Sequence, residues 1–521
     1  MCERWREYCE KLYNTDLGTN ENDINDAGPR NNEREPDILQ SEVEKAIKSL
    51  QKNKAPGIDN IPAELLKAGG IEMVQLLTKL CTIILRTSHW PEQWTQSIVI
   101  PLPKKGNLKE CGNYRTISLI SHPSKILLKV ILNRMQPRIV SLLSEEQAGF
   151  RKGRSTSEQI FNIRLLVEKY VEHGLCLFVN FIDFKKAFDR VWHKALWSTM
   201  RKNGFSEDIT TALVNLYSHA GSCMLVAGEL SPPFTPSVGV RQGCLLSPAL
   251  FNMYLEEIMS EALEKFEGEV VIGGRKIDNL RFADDIALIG ATTAELQDLT
   301  TKVDATARKY GMLISSEKSK IMNFEKDAIN KPGPIQIGNQ TLEEVKQFKY
   351  LGNTLTEDAH SNKEIQIRIA RALSALSSLN ILWKDRSISK RTKIMFMRSL
   401  VLSSFLYGCE TWTISADSER KINSFEMRCY RRLLGVPYTA HRTNDSIIGE
   451  VRQHIGCFER FFETVKKRKL QLYGHTVRAN NLATTFLQGA VPVRRPRGRP
   501  RKTWLSNVEE STKRRPRNCW H

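Results

Sequence analysis

Arg281-Phe282-Ala283-Asp284-Asp285-Ile286-Ala287-Leu288-Ile289 sets two adjacent carboxylates between short apolar runs, the pattern of two strands meeting at a tight turn. Taken alone, the pair is better explained as the tip of a solvated hairpin. A third acid alters the reading. Asp183 follows Leu175, Cys176, Leu177, Phe178, Val179, Phe181 and Ile182, so it stands where a buried strand ends. Carboxylates at strand ends are what a two-metal phosphoryl-transfer site requires. Two divalent cations about 3.5–4 Å apart lower the pKa of an attacking hydroxyl and neutralise a departing pyrophosphate. Mg²⁺ keeps several waters and takes one or two protein carboxylates, with phosphate oxygens supplying the rest. Three Asp side chains are enough for two Mg²⁺ ions, with Mn²⁺ as an alternative.

Between the two acidic positions lies Val238-Gly239-Val240-Arg241-Gln242-Gly243-Cys244-Leu245-Leu246-Ser247-Pro248. It reads as a loop ending in a helix start, with Ser247 as N-cap and Pro248 at the first helical position. Leu250, Met253, Tyr254 and Ile258 then recur on one helical face.

Six segments, in this order, carry a resemblance: Asn113 to Leu119 (NYRTISL), Gln147 to Ser155 (QAGFRKGRS), Phe181 to Asp189 (FIDFKKAFD), Arg241-Gln242-Gly243, Phe282-Ala283-Asp284-Asp285, and Phe348-Lys349-Tyr350-Leu351-Gly352. Together they resemble the reverse transcriptase of LINE-type, non-LTR retrotransposons over roughly residues 40 to 440. The resemblance implies an α+β right-hand polymerase, with fingers, a palm built on an antiparallel sheet and a helical thumb. It implies an RNA-directed DNA polymerase that extends a DNA primer on an RNA template with dNTPs, in that family at a nicked target.

The resemblance also assigns residues. Asp183, Asp284 and Asp285 match the metal-binding triad, with Asp285 the most weakly held. Phe188 matches the steric gate whose ring collides with a ribose 2′-hydroxyl; from spacing alone an ordinary core Phe is as good a reading. Gln242 matches the residue that contacts the incoming nucleotide. Ala283 stands beside the nascent base pair, where a small side chain leaves room. Lys318 matches a lysine that protonates the departing pyrophosphate, help worth ~10²–10⁴ in rate. Its motif is degenerate, since the family usually has Asn where Ser315 stands, and a solvated surface Lys is the other reading. Arg115 and Arg151 match finger residues that hold a triphosphate, for which a guanidinium fork is well shaped. Asp189 is expected to cap the helix carrying Trp192 and Leu196 rather than to join the metal site.

Composition agrees. The 77 Lys and Arg against 58 Asp and Glu give a formal charge of +19, which favours a polyanionic partner, nucleic acid first. No apolar stretch approaches the ~20 residues of a membrane-spanning helix, so no membrane partner is expected. The charged opening Met1-Cys2-Glu3-Arg4-Trp5-Arg6-Glu7 argues against secretion and for a nuclear or cytoplasmic protein. Eleven cysteines include no C-x-x-C pair, and His454, Cys457, His475, Cys519 and His521 lack ligand spacing, so no structural zinc is expected.

Four regions are expected: an N-terminal extension over 1–40 with a flexible Thr19–Asn32 linker, fingers and palm over 41–335, thumb and connecting helices over 336–445, and a basic C-terminal region over 446–521. A helix is expected over Ser41 to Leu50, consecutive hairpins from Val270 to the Asp pair around a Gly273-Gly274 turn, and a helix entered through a Thr292–Glu295 capping box. Tyr407-Gly408-Cys409-Glu410-Thr411-Trp412 resembles the family and is expected to pack rather than to catalyse. In the last region Arg497-Gly498-Arg499-Pro500 has the core of an AT-hook, suited to the narrow minor groove of A·T-rich DNA. A disordered basic arm that contacts phosphates without selecting sequence is the alternative. Lys466 to Lys469 and Lys513-Arg514-Arg515 read as nuclear import signals or as solvated charge runs. The upstream endonuclease common in such elements has no room in the first forty residues, and no ribonuclease H region is evident. The chain reads as the polymerase part of an element; a truncated or domesticated copy that only binds nucleic acid is the rival reading. An RNA-dependent RNA polymerase is disfavoured by Phe188.

Overall fold

The computed structural model describes residues 1–20, 30–104, 106–324 and 333–512. Most of the expected Thr19–Asn32 linker and the whole Lys513-Arg514-Arg515 run lie outside the described residues.

Ten strands frame the site: β1 (Gln96–Pro103), β2 (Tyr114–Ile120), β3 (Leu177–Ile182), β4 (Gly221–Val226), β5 (Glu229–Leu230), β6 (Val271–Ile272), β7 (Arg275–Lys276), β8 (Asn279–Phe282), β9 (Asp285–Gly290) and β10 (Lys320–Phe324). One sheet runs β2-β1-β4-β5. The other places the short strand Glu343–Glu344 beside β10, then β3, β9 and β8. All pairings are antiparallel except β1 with β4 and β10 with Glu343–Glu344. With the surrounding helices the chain is a mixed α+β structure, as expected.

Every residue of β3 is buried, because helices cover both faces. Its side chains alternate between two apolar clusters. Phe178 and Ile182 join Leu296, Leu299 and Val303 of helix Thr293–Lys309. Leu177, Val179 and Phe181 join Phe161 and Leu165 of helix Thr156–Glu172. The period of two that made the run legible as a strand thus sorts it onto two layers. Helix Gln40–Ser49 forms close to its expected bounds, with Val43 and Ile47 buried. β6 and β7 form the hairpin around Gly273-Gly274. Thr292 accepts the Glu295 N–H at 3.1 Å, and the Glu295 carboxylate reaches back to the Ala291 N–H at 2.6 Å.

Three local expectations need correction. Ser247 is the first residue of helix Ser247–Leu263 and not its cap, because its hydroxyl donates to the Arg241 carbonyl at 2.7 Å. Asp189 does not cap helix His193–Lys202, whose N-cap is Trp192; its carboxylate is held by Gln242 and Tyr13 instead. Helices begin at Asn362 and not near 340, since Gln347–Tyr350 and Asn353–Thr356 pair as a hairpin. The Phe348 ring stacks on Phe181 at 4.2 Å, so burial against β3 outweighs any helical preference there.

Helices from Asn362 onward enclose a third core around Phe405, Trp412, Phe425 and Phe461. Trp412 is buried, and Tyr407 donates to the Leu351 carbonyl at 2.7 Å, which gives the Tyr407–Trp412 segment a packing role. The basic C-terminal segment is not a free arm over its described residues. Helices Leu482–Gln488 and Trp504–Thr512 flank it, and Trp504 is only 1% exposed. The Trp504 indole donates to the Glu410 carbonyl at 2.9 Å and packs edge-on against Phe161 at 4.6 Å. Its backbone N–H donates to the Glu168 carboxylate at 2.9 Å. No described helix is long and apolar enough to cross a membrane.

Candidate active site

Strand register brings the acids together. β3 pairs with β9 up to Ile182 opposite Ile286, so one further step sets Asp183 across from Asp285. β8 pairs with β9 up to Phe282 opposite Asp285, which leaves Ala283-Asp284 as a two-residue turn with φ +56° at Ala283. The Lys318 ammonium donates to the Asp183 carboxylate at 3.2 Å. Ser315 and Ser319 hold the segment before β10 in place: the Ser315 N–H donates to the Asp183 carbonyl at 2.8 Å, and the Asp183 N–H to the Ser319 hydroxyl at 3.2 Å.

Crowding against the sheet, then the charges of Asp284 and Asp183, push the Asp285 carboxyl up to about 6, although one side of it is open to solvent. Asp284 is raised first by burial and also by Asp183, while Arg115 and Lys318 pull it back down. Hard carboxylate oxygens whose ionised forms repel one another are a donor set that a divalent cation would relieve. Among the described residues no three His, Cys, Asp or Glu side chains, these three acids included, stand close enough together to hold a metal ion as they are placed. A Mg²⁺ ion at these acids would therefore draw most of its ligands from waters and substrate oxygens.

Arg115 and Lys318 act on Asp284, whereas Lys104 and Lys186 act on Asp189. Lys104 was missed in the sequence. It follows β1, and its N–H donates to the Asn113 carbonyl at 2.8 Å, so the β1–β2 hairpin sets it near Arg115. Burial, followed by Arg115, holds its ammonium below the usual lysine range.

Gln242 is fixed twice. Its carbonyl accepts the Ser118 N–H from β2 at 2.7 Å, and its amide donates to Asp189 at 2.7 Å. The close approach needs Gly243, where a Cβ would lie 2.8 Å from the Ser118 carbonyl oxygen. Below it, buried Arg241 donates to the Thr95 carbonyl at 2.6 Å. Phe188 is half-buried, stacked on Phe251 at 4.4 Å with Phe150 edge-on at 6.3 Å, five residues from Asp183. Arg151 is directed elsewhere. Its guanidinium donates to the carbonyls of Ser144 (2.5 Å) and Gln147 (3.1 Å), and its charged neighbours are Arg154, Glu256, Glu145 and Glu158 rather than the site acids.

The second residue missed is Gln147. Fully buried, it accepts the N–H groups of Gly149 (2.8 Å) and Ala283 (2.9 Å) and donates to the Ala283 carbonyl at 3.4 Å. Ala148 donates to the Arg281 carbonyl at 2.9 Å, and Arg281 to the Glu146 carbonyl at 2.9 Å. A Cβ on Gly149 would fall on the Ala283 nitrogen. Residues 146–149 thus grip the turn that carries the Asp pair. The only sequence signal was the presence of Gln147 in a family-like motif.

Arg497, Gly498, Arg499 and Pro500 are exposed and stand apart from the acids. Their loop is tied to the end of helix Thr156–Glu172 by Arg495–Glu172 at 3.6 Å, and Pro496 lies beside Gly174. Glu172 and Gly174 precede β3 whereas Asp183 follows it, a separation of roughly 20 Å at ~3.3 Å per residue.

Residues 102–355 match the reverse transcriptase (RNA-dependent DNA polymerase) family. A probable RNA-directed DNA polymerase from transposon BS of Drosophila melanogaster is 28% identical over 78% of this chain and 46% of its own length. Another, from transposon X-element of the same fly, is 25% identical over 88% of this chain and 50% of its own length. The chain spans about half the length of these curated relatives. Apo telomerase from Candida tropicalis is a loose structural likeness, with TM-score 0.39 and 12% identity over 77% of this chain and 69% of that one. Residues 102–355 are therefore a reverse transcriptase domain, and the chain is a relative of the RNA-directed DNA polymerases of non-LTR retrotransposons.

Proposed function

We propose that the chain is an RNA-directed DNA polymerase that adds deoxynucleotides to a primer 3′-hydroxyl on an RNA template. The observation that carries this is the register of β3 against β9, which sets Asp183 across from Asp285 beside the Asp284 turn. Two Mg²⁺ ions, or Mn²⁺, held by these three carboxylates would activate the primer hydroxyl and neutralise the departing pyrophosphate. The chain's own groups do the remainder. Arg115, beside Asp284, and Lys104, beside Arg115 and Asp189 on the same β1–β2 hairpin, would take the triphosphate. Gln242, locked onto Asp189 and β2, offers its remaining amide atoms to the incoming nucleotide. Phe188, wedged on Phe251, would bar a ribose 2′-hydroxyl, and Ala283 leaves room for the nascent pair. The primer hydroxyl gives its proton to solvent water, its oxygen bonds to the α-phosphorus and the bond to pyrophosphate breaks. Lys318 would then supply a proton to that leaving group, which requires it to leave Asp183. Arg151 would act through the 144–147 loop rather than on phosphate.

The Arg494–Lys502 loop, anchored at both ends and far from the acids, would contact the phosphates of duplex nucleic acid, with affinity falling steeply as salt rises. The Arg497–Pro500 core is the part suited to a minor groove.

The test is extension of a DNA primer annealed to RNA by the purified chain in Mg²⁺, with dNTPs or with ribonucleotides. Extension confined to dNTPs supports the proposal. Tight binding of primer–template with no extension in Mg²⁺ or Mn²⁺ would leave a binding protein.

A further inference from the structure

Helix Cys2–Tyr13 lies outside the residues matched by the reverse transcriptase family, yet it is inserted between the two stretches that carry the nucleotide-facing groups. Toward the β1–β2 hairpin, Trp5 packs edge-on against Tyr114 at 4.9 Å, next to Arg115, and Arg4 donates to the Lys109 carbonyl at 3.1 Å. Toward the other stretch, the Tyr8 hydroxyl accepts from Lys186 at 2.7 Å, three residues beyond Asp183. The Tyr13 carbonyl accepts the N–H groups of Ser237 (3.0 Å) and Val238 (3.1 Å), at the head of the loop that carries Gln242.

The Tyr13 hydroxyl closes the circuit. It lies 2.9 Å from the Thr116 hydroxyl on β2, and it donates to Asp189 Oδ1 at 3.4 Å. That same oxygen receives the Gln242 amide at 2.7 Å. Asp189 is buried, so both donors matter to it, and burial alone raises its carboxyl. The helix is seated by Trp5, Cys9 and Tyr13, which share a small apolar cluster with Val99, Met224 and Phe234.

We propose that the N-terminal helix is part of the nucleotide site, with Tyr13 a positioning residue that acts through Asp189 to fix the Gln242 amide and thereby sets affinity for the incoming dNTP. The inference rests on the polymerase reading above. An amide has two donors and one acceptor. With one N–H committed to Asp189, the oxygen and the other N–H keep a single orientation toward the groove. Without the Tyr13 hydroxyl, Asp189 loses its link to β2 and the amide gains alternative orientations. Nucleotide binding weakens, while the acids on β3 and β9 are left in place.

The test uses the full chain and Tyr13→Phe, which keeps the ring and its packing. On an RNA template with a DNA primer, the dNTP KM is expected to rise about five- to tenfold with kcat within about twofold, and with a melting temperature lowered by no more than about two degrees. A second readout needs no chemistry: with a dideoxy-terminated primer, the dNTP concentration that traps a stable ternary complex should rise by the same factor. Thr116→Val, which breaks the other half of the link, should shift the same two quantities. Unchanged dNTP affinity in Tyr13→Phe overturns the proposal, as does a parallel loss of kcat and melting temperature, which would mark a merely structural helix. A wild-type chain that traps dNTP without extending primer would sink the polymerase reading, yet the trapping comparison would still decide the role of Tyr13. A wild-type chain that does neither overturns both.

Discussion

Replacing Gln147 by Met keeps the length of the side chain and removes its amide. Two buried N–H groups, of Gly149 and Ala283, then lose the acceptor that held them at 2.8 and 2.9 Å. At ~1–3 kcal/mol for each buried donor left unpaired, the fold should lose about 2–6 kcal/mol. The thioether recovers little, being a weak acceptor. Ala283 has a left-handed backbone, φ +56°, which costs a residue with a Cβ roughly 1–2 kcal/mol, so the turn is driven to relax once the clamp is gone. Asp284 and Asp285 move with it. A shift near 1 Å at a catalytic group costs about 10²-fold in rate. Differential scanning calorimetry should therefore show a melting temperature lowered by several degrees. Single-nucleotide extension at saturating dNTP should fall about 10- to 100-fold with KM little changed. Gln147→Glu, which keeps oxygen acceptors, should lie between wild type and Met. A Met variant that melts within a degree of wild type and extends primer within twofold would refute the clamp.

Gly149→Ala forces a Cβ onto the Ala283 nitrogen, so it should reduce extension and melting temperature together, by more than Ala substitution at exposed Gly333, which has nothing within reach. In Asp285→Asn the sign follows from the raised carboxyl. Its folded-state value of about 6 exceeds the ordinary 3.8, so the ionised form weakens the metal-free fold above about pH 6. Without divalent cation the variant should melt higher than wild type at pH 8, the gap closing as pH falls toward 4, while extension is lost; a gap that widens at low pH would contradict the assignment. Trp504→Ala empties a fully buried site between Phe161 and the Glu410 carbonyl and should cost about 3–5 kcal/mol in urea denaturation. The same change should make the 494–502 loop a preferred protease site, since that loop would lose its C-terminal anchor.

The acids were legible because each sits at the end of a run whose apolar pattern already marks a strand, and register does the rest. Asp183 meets Asp285 once β3 and β9 pair with their buried faces aligned. Helices with strong periodicity, such as Ser247–Leu263, were equally plain, although the Ser247 hydroxyl took a tertiary partner over a local cap. What the sequence concealed are side chains whose partners lie far along the chain. Gln147 bonds Ala283 across 136 residues, and Tyr13 bonds Asp189 across 176. No local pattern separates a Gln destined for burial from one on a surface. Arg151, expected to hold a triphosphate, shows the same ambiguity: a guanidinium suits phosphate and backbone carbonyls alike, and here the 144–147 loop supplies the carbonyls. The C-terminal segment looked like a free arm because all nine positions from Arg494 to Lys502 are basic, Gly or Pro. Its order comes from the helices that flank it, one of them anchored by buried Trp504, Asn507 and Val508.

The register of β3 against β9 is the central claim, and RNA-templated primer extension in Mg²⁺ tests it most directly when wild type is compared with Asp183→Asn and Asp284→Asn. Wild type should extend with dNTPs, and each variant should fall by about 10²-fold or more while still binding primer–template and melting no lower than wild type. Equal extension by either variant, at equal Mg²⁺, would contradict the account.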